Sequence, residues 1–445
     1  MNRAVALFGG AVVLTLLVGH LLRDTAGYMV RNPDGTISGD ITHYVYWTRL
    51  VTLGGIQVAY DGTWPETYAV YPPINLYAYQ AVGNVYRLLQ DPTFDPVRAQ
   101  DSLFLRQGIK FVALTWHLLT GAAIVLIVRR LGAANVLAAA AGGLYLVNPA
   151  ALYDVAHWAQ PDGAHSLFSV LAIGSLSLGG VSLAWAALAL AALAKPQAWS
   201  IVPLLAIATW RGHGLAGVVR SGGIAALVGL VVILPFLVTG HLGQLLSLPG
   251  VVSSVMPVVS ADAHNFWWLL TGSRGEDALF IPDSVRLIGP LTYRLLAGAL
   301  VGAMLVLSAW LLWTRRASLA EAAALGVLGW FTFTTQAHEN HLFFALPLLS
   351  LAWPTRRSLL VPFGLISVTL LLNIVLHDQF VLEGLGRGLE DPLLVRLRLA
   401  NAALNVVCCL GWALAATLRS PSSEVVSGTV KYWPRHIQVR GKAPT

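Results

Sequence analysis

The hexapeptide QAHENH, residues 336–341, sets two imidazoles, a carboxylate and an amide directly before a run apolar enough to enter a membrane. Ionisable groups are costly at such a boundary and mark chemistry or charge recognition. His338 and His341 are candidates to stabilise a growing negative charge, because an imidazole donates a hydrogen bond whether or not it is protonated. Glu339 stands between them. A zinc site is poorly matched: the order is not His-Glu-x-x-His, and no third ligand lies nearby. The plainer alternative is a set of interfacial polar residues at the end of a span.

Three more polar clusters stand outside the apolar runs. SGDITHYVYW carries Asp40 and His43. YDGTWPETYAVYPPINLYAY carries Asp61, Glu66 and Tyr71, the last just before the Pro72–Pro73 pair. NPAALYDVAHWAQPDGAHS carries Asp154, His157, Gln160, Asp162 and His165. Asp40 has two readings, a general base for an acceptor hydroxyl or a carboxylate capping a helix that starts at Ile41. Lys195, followed by Pro196 and Gln197 where two short apolar runs meet, is either a snorkelling lysine or a phosphate ligand. Arg396 and Arg398, at the start of the last apolar run, are candidates for an anionic headgroup, and their i, i+2 spacing lets at most one face a ligand. HNFWWLLTGSRGEDALF, residues 264–280, reads as an aromatic-belt re-entry segment or as a lid over a sugar or lipid site.

The elements that must position these residues are transmembrane helices. Of 445 residues, 56% are hydrophobic and 11% charged. Apolar runs at 4–22, 109–128, 134–148, 166–180, 181–194, 197–210, 221–239, 290–313, 319–336, 342–353, 359–376 and 397–418 predict an all-α polytopic membrane protein with about twelve spans, several too short to cross upright unless broken, kinked or sheltered. Arg129–Arg130, Arg211 with Arg220, Arg315–Arg316, Arg356–Arg357 and Arg419 fall between alternate pairs of spans, which places those loops and both termini in the cytoplasm. On that assignment 19 of the 21 acidic residues lie on the outer side, all but Glu321 and Glu424, so the chemistry faces outward. A single transmembrane domain over 1–419 follows, with outer loops at 23–108 and 240–289, and 420–445 forms a basic cytoplasmic tail. The first outer loop has the spacing of amphipathic surface helices. The adjacent Cys408 and Cys409 exclude a disulfide framework. No nucleic-acid partner is expected.

Taken together and in order, the outer-loop Gly39–Asp40, YPPINLYAY, NPAALYDVAHWAQPDG, Lys195-Pro196-Gln197 and HENHLFFALPLL resemble the GT-C superfamily of membrane glycosyltransferases over most of residues 1–355. The nearest patterns are those of the dolichyl-phosphate-glucose-dependent glucosyltransferases of the asparagine-linked glycan pathway, and bacterial polyprenyl-phosphate-mannose mannosyltransferases are also similar. The resemblance implies a polyprenyl-phosphate-sugar donor, a glycolipid or lipid-linked glycan acceptor, inversion at the anomeric carbon, and Asp40 as the base. It places His338 near the donor phosphate, with Glu339, Asp61, Tyr71, His157, Gln160, Asp162 and Gln197 as substrate-binding candidates. Asn340 stands where the eukaryotic motif has lysine, so the phosphate must find its cation elsewhere, at His341, Lys195, Arg396 or Arg398. Only four of the 28 basic residues are lysine, and Ala, Gly, Leu and Val dominate, which is compatible with a GC-rich bacterial genome and so with a bacterial inner-membrane protein.

No cofactor is expected, and no metal, because the outer clusters lack a compact ligand set. A lipid or solute transporter is the main rival, since twelve spans is a common transporter number, but such proteins place ionisable groups near the midplane and show two related halves. Asp61→Asn and Asp162→Asn are expected to be milder than Asp40→Asn.

Overall fold

The structure, a computed structural model, describes residues 3–31, 37–63, 67–272 and 281–421. Glu66, residues 273–280 of the Trp-rich segment and nearly all of the 420–445 tail lie outside the described residues. Helices dominate, as backbone in hydrocarbon requires, since every N–H and C=O there must be satisfied internally. Among the described residues six are long and apolar enough to cross a membrane: Arg3–Leu21, Leu103–Arg130, Pro196–Val238, Tyr293–Trp313, Arg357–Val375 and Pro392–Leu418. Asn135–Leu146 and Pro149–His157, bent by 47°, make a seventh if they act as one span. The Pro196–Val238 rod breaks at Gly214, whose φ of +67° suits glycine alone, and this separates the runs read at 197–210 and 221–239. Two short antiparallel hairpins, Val30–Arg31 with Ile37–Ser38 and Arg286–Ile288 with Leu291–Thr292, are the strand pairs among the described residues. The protein is an all-α polytopic membrane protein.

Four apolar helices, Val181–Ala192, Leu242–Val255, Leu319–Phe333 and His341–Ala352, are too short to cross unaided. Two of them form the centre: Leu319–Phe333 buries every residue except Trp330, and residues Ala345–Ala352 are all buried. Arg3–Leu21, by contrast, buries only Ala4, Ala11 and Thr15. Long helices therefore sheathe a core of short ones, which are sheltered by protein and need not match the bilayer thickness.

The arginine loops meet at one end of this core. Arg211 donates to the carbonyls of Leu312 (3.1 Å) and Trp313 (2.8 Å), and Arg316 to those of Thr417 and Arg419. Glu321, 1% exposed, is gripped by Arg419 and by Arg356 at 3.4 Å. From this knot the Leu319–Phe333 helix runs toward His338, about 20 Å away along the axis at ~1.5 Å per residue.

The segment between the first two long helices builds a second core. Asp40–Gly54 packs on Pro73–Leu89, which Pro73 starts at its first position, and the two bury Tyr44, Trp47, Tyr79 and Tyr86 with Phe236, Leu245 and Leu248 from later in the chain. The Trp-rich segment departs from the aromatic-belt reading. Asn265 caps Phe266–Thr271 by accepting from the amides of Trp267 and Trp268, both indoles are buried, and the Trp267 Nε1–H donates to the Phe333 carbonyl at 2.7 Å. These tryptophans anchor the segment before Tyr293–Trp313 to the central helix.

Candidate active site

Asp40 opens its helix behind Gly39, which packs so tightly that a Cβ there would stand 2.3 Å from the Tyr28 carbonyl oxygen. Asp40 does not cap. Gly39 holds the N-cap position with no side-chain hydrogen bond, and the Asp40 carboxylate accepts instead from Gln160 Nε2. Its side chain remains 35% exposed, with His43 Nδ1 at 3.9 Å one turn on.

Gln160 is itself oriented. Its Oε1 accepts from the hydroxyls of Tyr44 (3.0 Å) and Tyr71 (3.2 Å). Burial first, then neighbouring acidic groups including Asp40, push both phenols well above their usual pKa, so they stay protonated as donors and turn the amide –NH2 toward Asp40. The segment delivering Gln160 is irregular: one π-helical turn, Tyr153–His157, precedes Ala159 at φ +70°. Such turns and left-handed non-glycine residues recur where a side chain must be aimed.

Beneath Gln160 lies a buried ionic unit. Lys195, 3% exposed, pairs with Asp162, and Asn340 Nδ2 donates to Asp162 (2.8 Å) and Asp154 (3.3 Å). Lys195 is thus no snorkelling lysine; its ammonium is already matched by a carboxylate and sits 5.4 Å from the Tyr71 ring centroid. His165 Nδ1 is 3.6 Å from Asp162, and Gln197 is buried in the Pro196–Ile201 turn with its Oε1 unpartnered.

The HENH turn forms the opposite wall. His338 keeps 41% of its side chain open although protein surrounds it, so it lines a recess rather than an outer surface. Its backbone N–H donates to His341 Nδ1 at 3.2 Å, and the His341 ring lies against Trp330. Glu339, 7% exposed, is pushed up to about 8, first by burial and then by the neighbouring Asp262 carboxylate. Asp40 acts electrostatically on His338, Glu339 and Asp162, so the four lie near one another, Asp40 and His338 partly open and Glu339 and Asp162 buried.

Other candidates stand apart. Asp61 pairs with His241 at 3.1 Å at an exposed end of the outer loop. His157 and Tyr153 both hold Asp378, at 3.2 and 2.6 Å. Arg398 is buried and donates to the carbonyls of Leu376 and Leu389, while Arg396 is exposed on the other side of the helix. Sequence reasoning missed Tyr44, Asp262, His264, His377 and Asp378. The Asp-x-His of 262–264 and the His-Asp of 377–378, each at the edge of an apolar run, were the available signals.

No protein-family model matches the chain, and no curated protein matches it. Solved structures do. ArnT from Cupriavidus metallidurans bound to undecaprenyl phosphate matches with a TM-score of 0.51 at 14% identity, over 95% of this chain and 78% of that one. Its apo form matches at 0.44 and 15% identity with the same coverage, and the oligosaccharyltransferase AglB from Archaeoglobus fulgidus, in complex with an inhibitory peptide and a dolichol-phosphate, at 0.39 and 14% over 94% and 56%.

Proposed function

From a chain that has the GT-C fold of the undecaprenyl-phosphate-bound ArnT, we propose an inverting glycosyltransferase that moves a monosaccharide from a polyprenyl-phosphate carrier to a hydroxyl of a glycolipid or lipid-linked glycan. The observation that carries this reading is the partly open Asp40 carboxylate, bound by Gln160 and close enough to the accessible His338 to act on it electrostatically. Asp40 takes the acceptor hydroxyl proton as that oxygen bonds to the anomeric carbon. The bond from that carbon to the phosphate oxygen breaks in the same displacement, which inverts the centre. His338 hydrogen-bonds the departing phosphate, with His341 behind it. The likeness to an undecaprenyl-phosphate-bound structure supports a lipid-phosphate donor. The test is transfer of radiolabel from polyprenyl-phosphate sugars to membrane lipids by the purified protein; a panel of such donors giving no product overturns the reading.

Two further expectations belong to this proposal. Among the described residues no three His, Cys, Asp or Glu side chains are grouped as a metal site, and the phosphate has imidazoles to meet it, so transfer is expected to survive EDTA unchanged. Activity lost to the chelator and restored by Mg²⁺ or Mn²⁺ would refute this. The recess and the arginine knot lie at opposite ends of one central helix, with the arginine end cytoplasmic and the recess outward in what is proposed as a bacterial inner-membrane protein. Single cysteines introduced at Asp61 and Arg357 are expected to be labelled from opposite sides, and labelling of both from one side refutes the topology.

A further inference from the structure

A second polar chain ends in the same recess. Asp262 stands in the second outer loop at φ +61°, and its backbone and that of Ala261 bridge to His338. Its side chain is 43% open although protein encloses it, so it too lines the recess. Behind it, His377 Nδ1 lies 3.4 Å from Asp262 Oδ1, His264 Nε2 lies 3.0 Å from His377 Nε2, and Asn401 Nδ2 lies 2.8 Å from His264 Nδ1. Asn401 Nδ2 also donates to the Thr369 carbonyl at 2.8 Å, which fixes the amide's orientation.

The donors then follow in one direction. An amide –NH2 only donates, so His264 Nδ1 accepts and its proton sits on Nε2. That proton is given to His377 Nε2, which leaves the His377 proton on Nδ1, facing Asp262. Asn373 ties the loop to the same scaffold, accepting the His264 N–H (2.8 Å) and donating to the Asp262 carbonyl (2.7 Å). Two buried imidazoles are a costly way to fill a core, and apolar side chains would pack there at less expense. This chain sets an imidazole nitrogen 3.4 Å from one Asp262 carboxylate oxygen, on a side chain that stays 43% open beside His338.

We propose that Asp262 binds hydroxyl groups of the transferred monosaccharide, its carboxylate held in place by the His377–His264–Asn401 chain. This rests on the glycosyltransferase reading and adds the loop that recognises the sugar. A carboxylate accepts from hydroxyls and repels a phosphate, so Asp262 suits the polyhydroxylated part of the donor rather than its leaving group. The charged or titratable groups acting on it or beside it are His338, Glu339, Arg398, Tyr28 and His377; burial raises the Asp262 carboxyl, and His338 and Arg398 act to lower it. Asp40 serves the acceptor hydroxyl from the facing side.

The experiment uses the full chain in nanodiscs, the polyprenyl-phosphate sugar that the wild-type protein transfers, and its monodeoxy analogues. Removing the hydroxyl that Asp262 binds is expected to raise the wild-type KM about 10-fold or more, with a smaller change in kcat. In Asp262→Ala the parent donor shows that same rise, and parent and deoxy donor become equivalent. His377→Ala weakens the discrimination partway, as expected of a positioning residue. Asp262→Asn, of nearly the same size, repeats the comparison should the alanine variant not fold. Discrimination retained in both Asp262 variants, or a loss of kcat at unchanged KM, overturns the inference while leaving the glycosyltransferase reading intact. A wild-type protein that transfers no sugar from any such donor overturns both.

Discussion

Asp40→Asn is expected to lower the transfer rate by on the order of 10²-fold or more while the protein still folds and binds undecaprenyl phosphate. An acceptor hydroxyl is a poor nucleophile at neutral pH, and the step needs a group that receives its proton as the new bond forms. The amide is nearly isosteric, fits the same place beside Gln160 and has almost no affinity for that proton, so the loss falls on kcat rather than on binding. Asp61→Asn is the internal control: Asp61 is committed to His241 at an exposed end of the loop, and its loss is expected to leave the rate nearly unchanged. The measurement is radiolabel transfer under saturating donor, with lipid binding followed separately by native mass spectrometry. A near-wild-type rate for Asp40→Asn removes Asp40 as the base, and an inactive Asp61→Asn transfers the role to Asp61.

Lys195→Met is expected to be the most destabilising single change at the site. The ammonium and Asp162 are each 3% exposed, and Asp154 shares Asn340 with Asp162. Removing the cation leaves carboxylates in a dry interior with an amide as their remaining neutralising donor. Breaking such a pair costs about 3–5 kcal/mol, a large part of the stability of a folded domain. Asp162→Asn creates the converse defect, a buried ammonium without its counter-ion, and is expected to be destabilising as well. The double variant Lys195→Met, Asp162→Asn removes both charges and should recover part of the loss, a coupling characteristic of a true pair. Thermal unfolding of the four proteins in one detergent measures it; additive single effects would exclude the pair as the cause.

The sequence was informative wherever one residue's type decides the matter. Apolar runs located the helices to within a few residues, and the break at Gly214 separates two runs already distinct in the hydropathy pattern. Of the arginines read as sharing one side, Arg316, Arg356 and Arg419 meet around Glu321 and the neighbouring carbonyls. Asp40, Gln160, Tyr71, Asp162 and His338 each carried a signal, and the fold brings them near one another. What stayed hidden was pairing. Nothing near Lys195 in sequence says that its partner is Asp162, 33 residues earlier, because the contact comes from packing one helix start against another chain turn. The Asp262 chain was invisible for the same reason: its members come from the second outer loop and the last two long helices, and each alone looks like an ordinary residue at the end of a span. The capping reading of Asp40 failed because Gly39 already supplies the helix boundary.

The Glu321 knot bears on how this protein is made. The helix that forms its centre begins with a carboxylate whose counter-ions are Arg356 and Arg419, and Arg419 follows the last long helix. During synthesis the ribosome delivers Glu321 almost a hundred residues before Arg419, so the central helix enters the membrane with its charge half-compensated and its small-residue surface uncovered. Arrival of the Pro392–Leu418 helix therefore closes the bundle, and a nascent chain stopped before it exposes the kind of intramembrane polar defect that membrane quality-control proteases recognise.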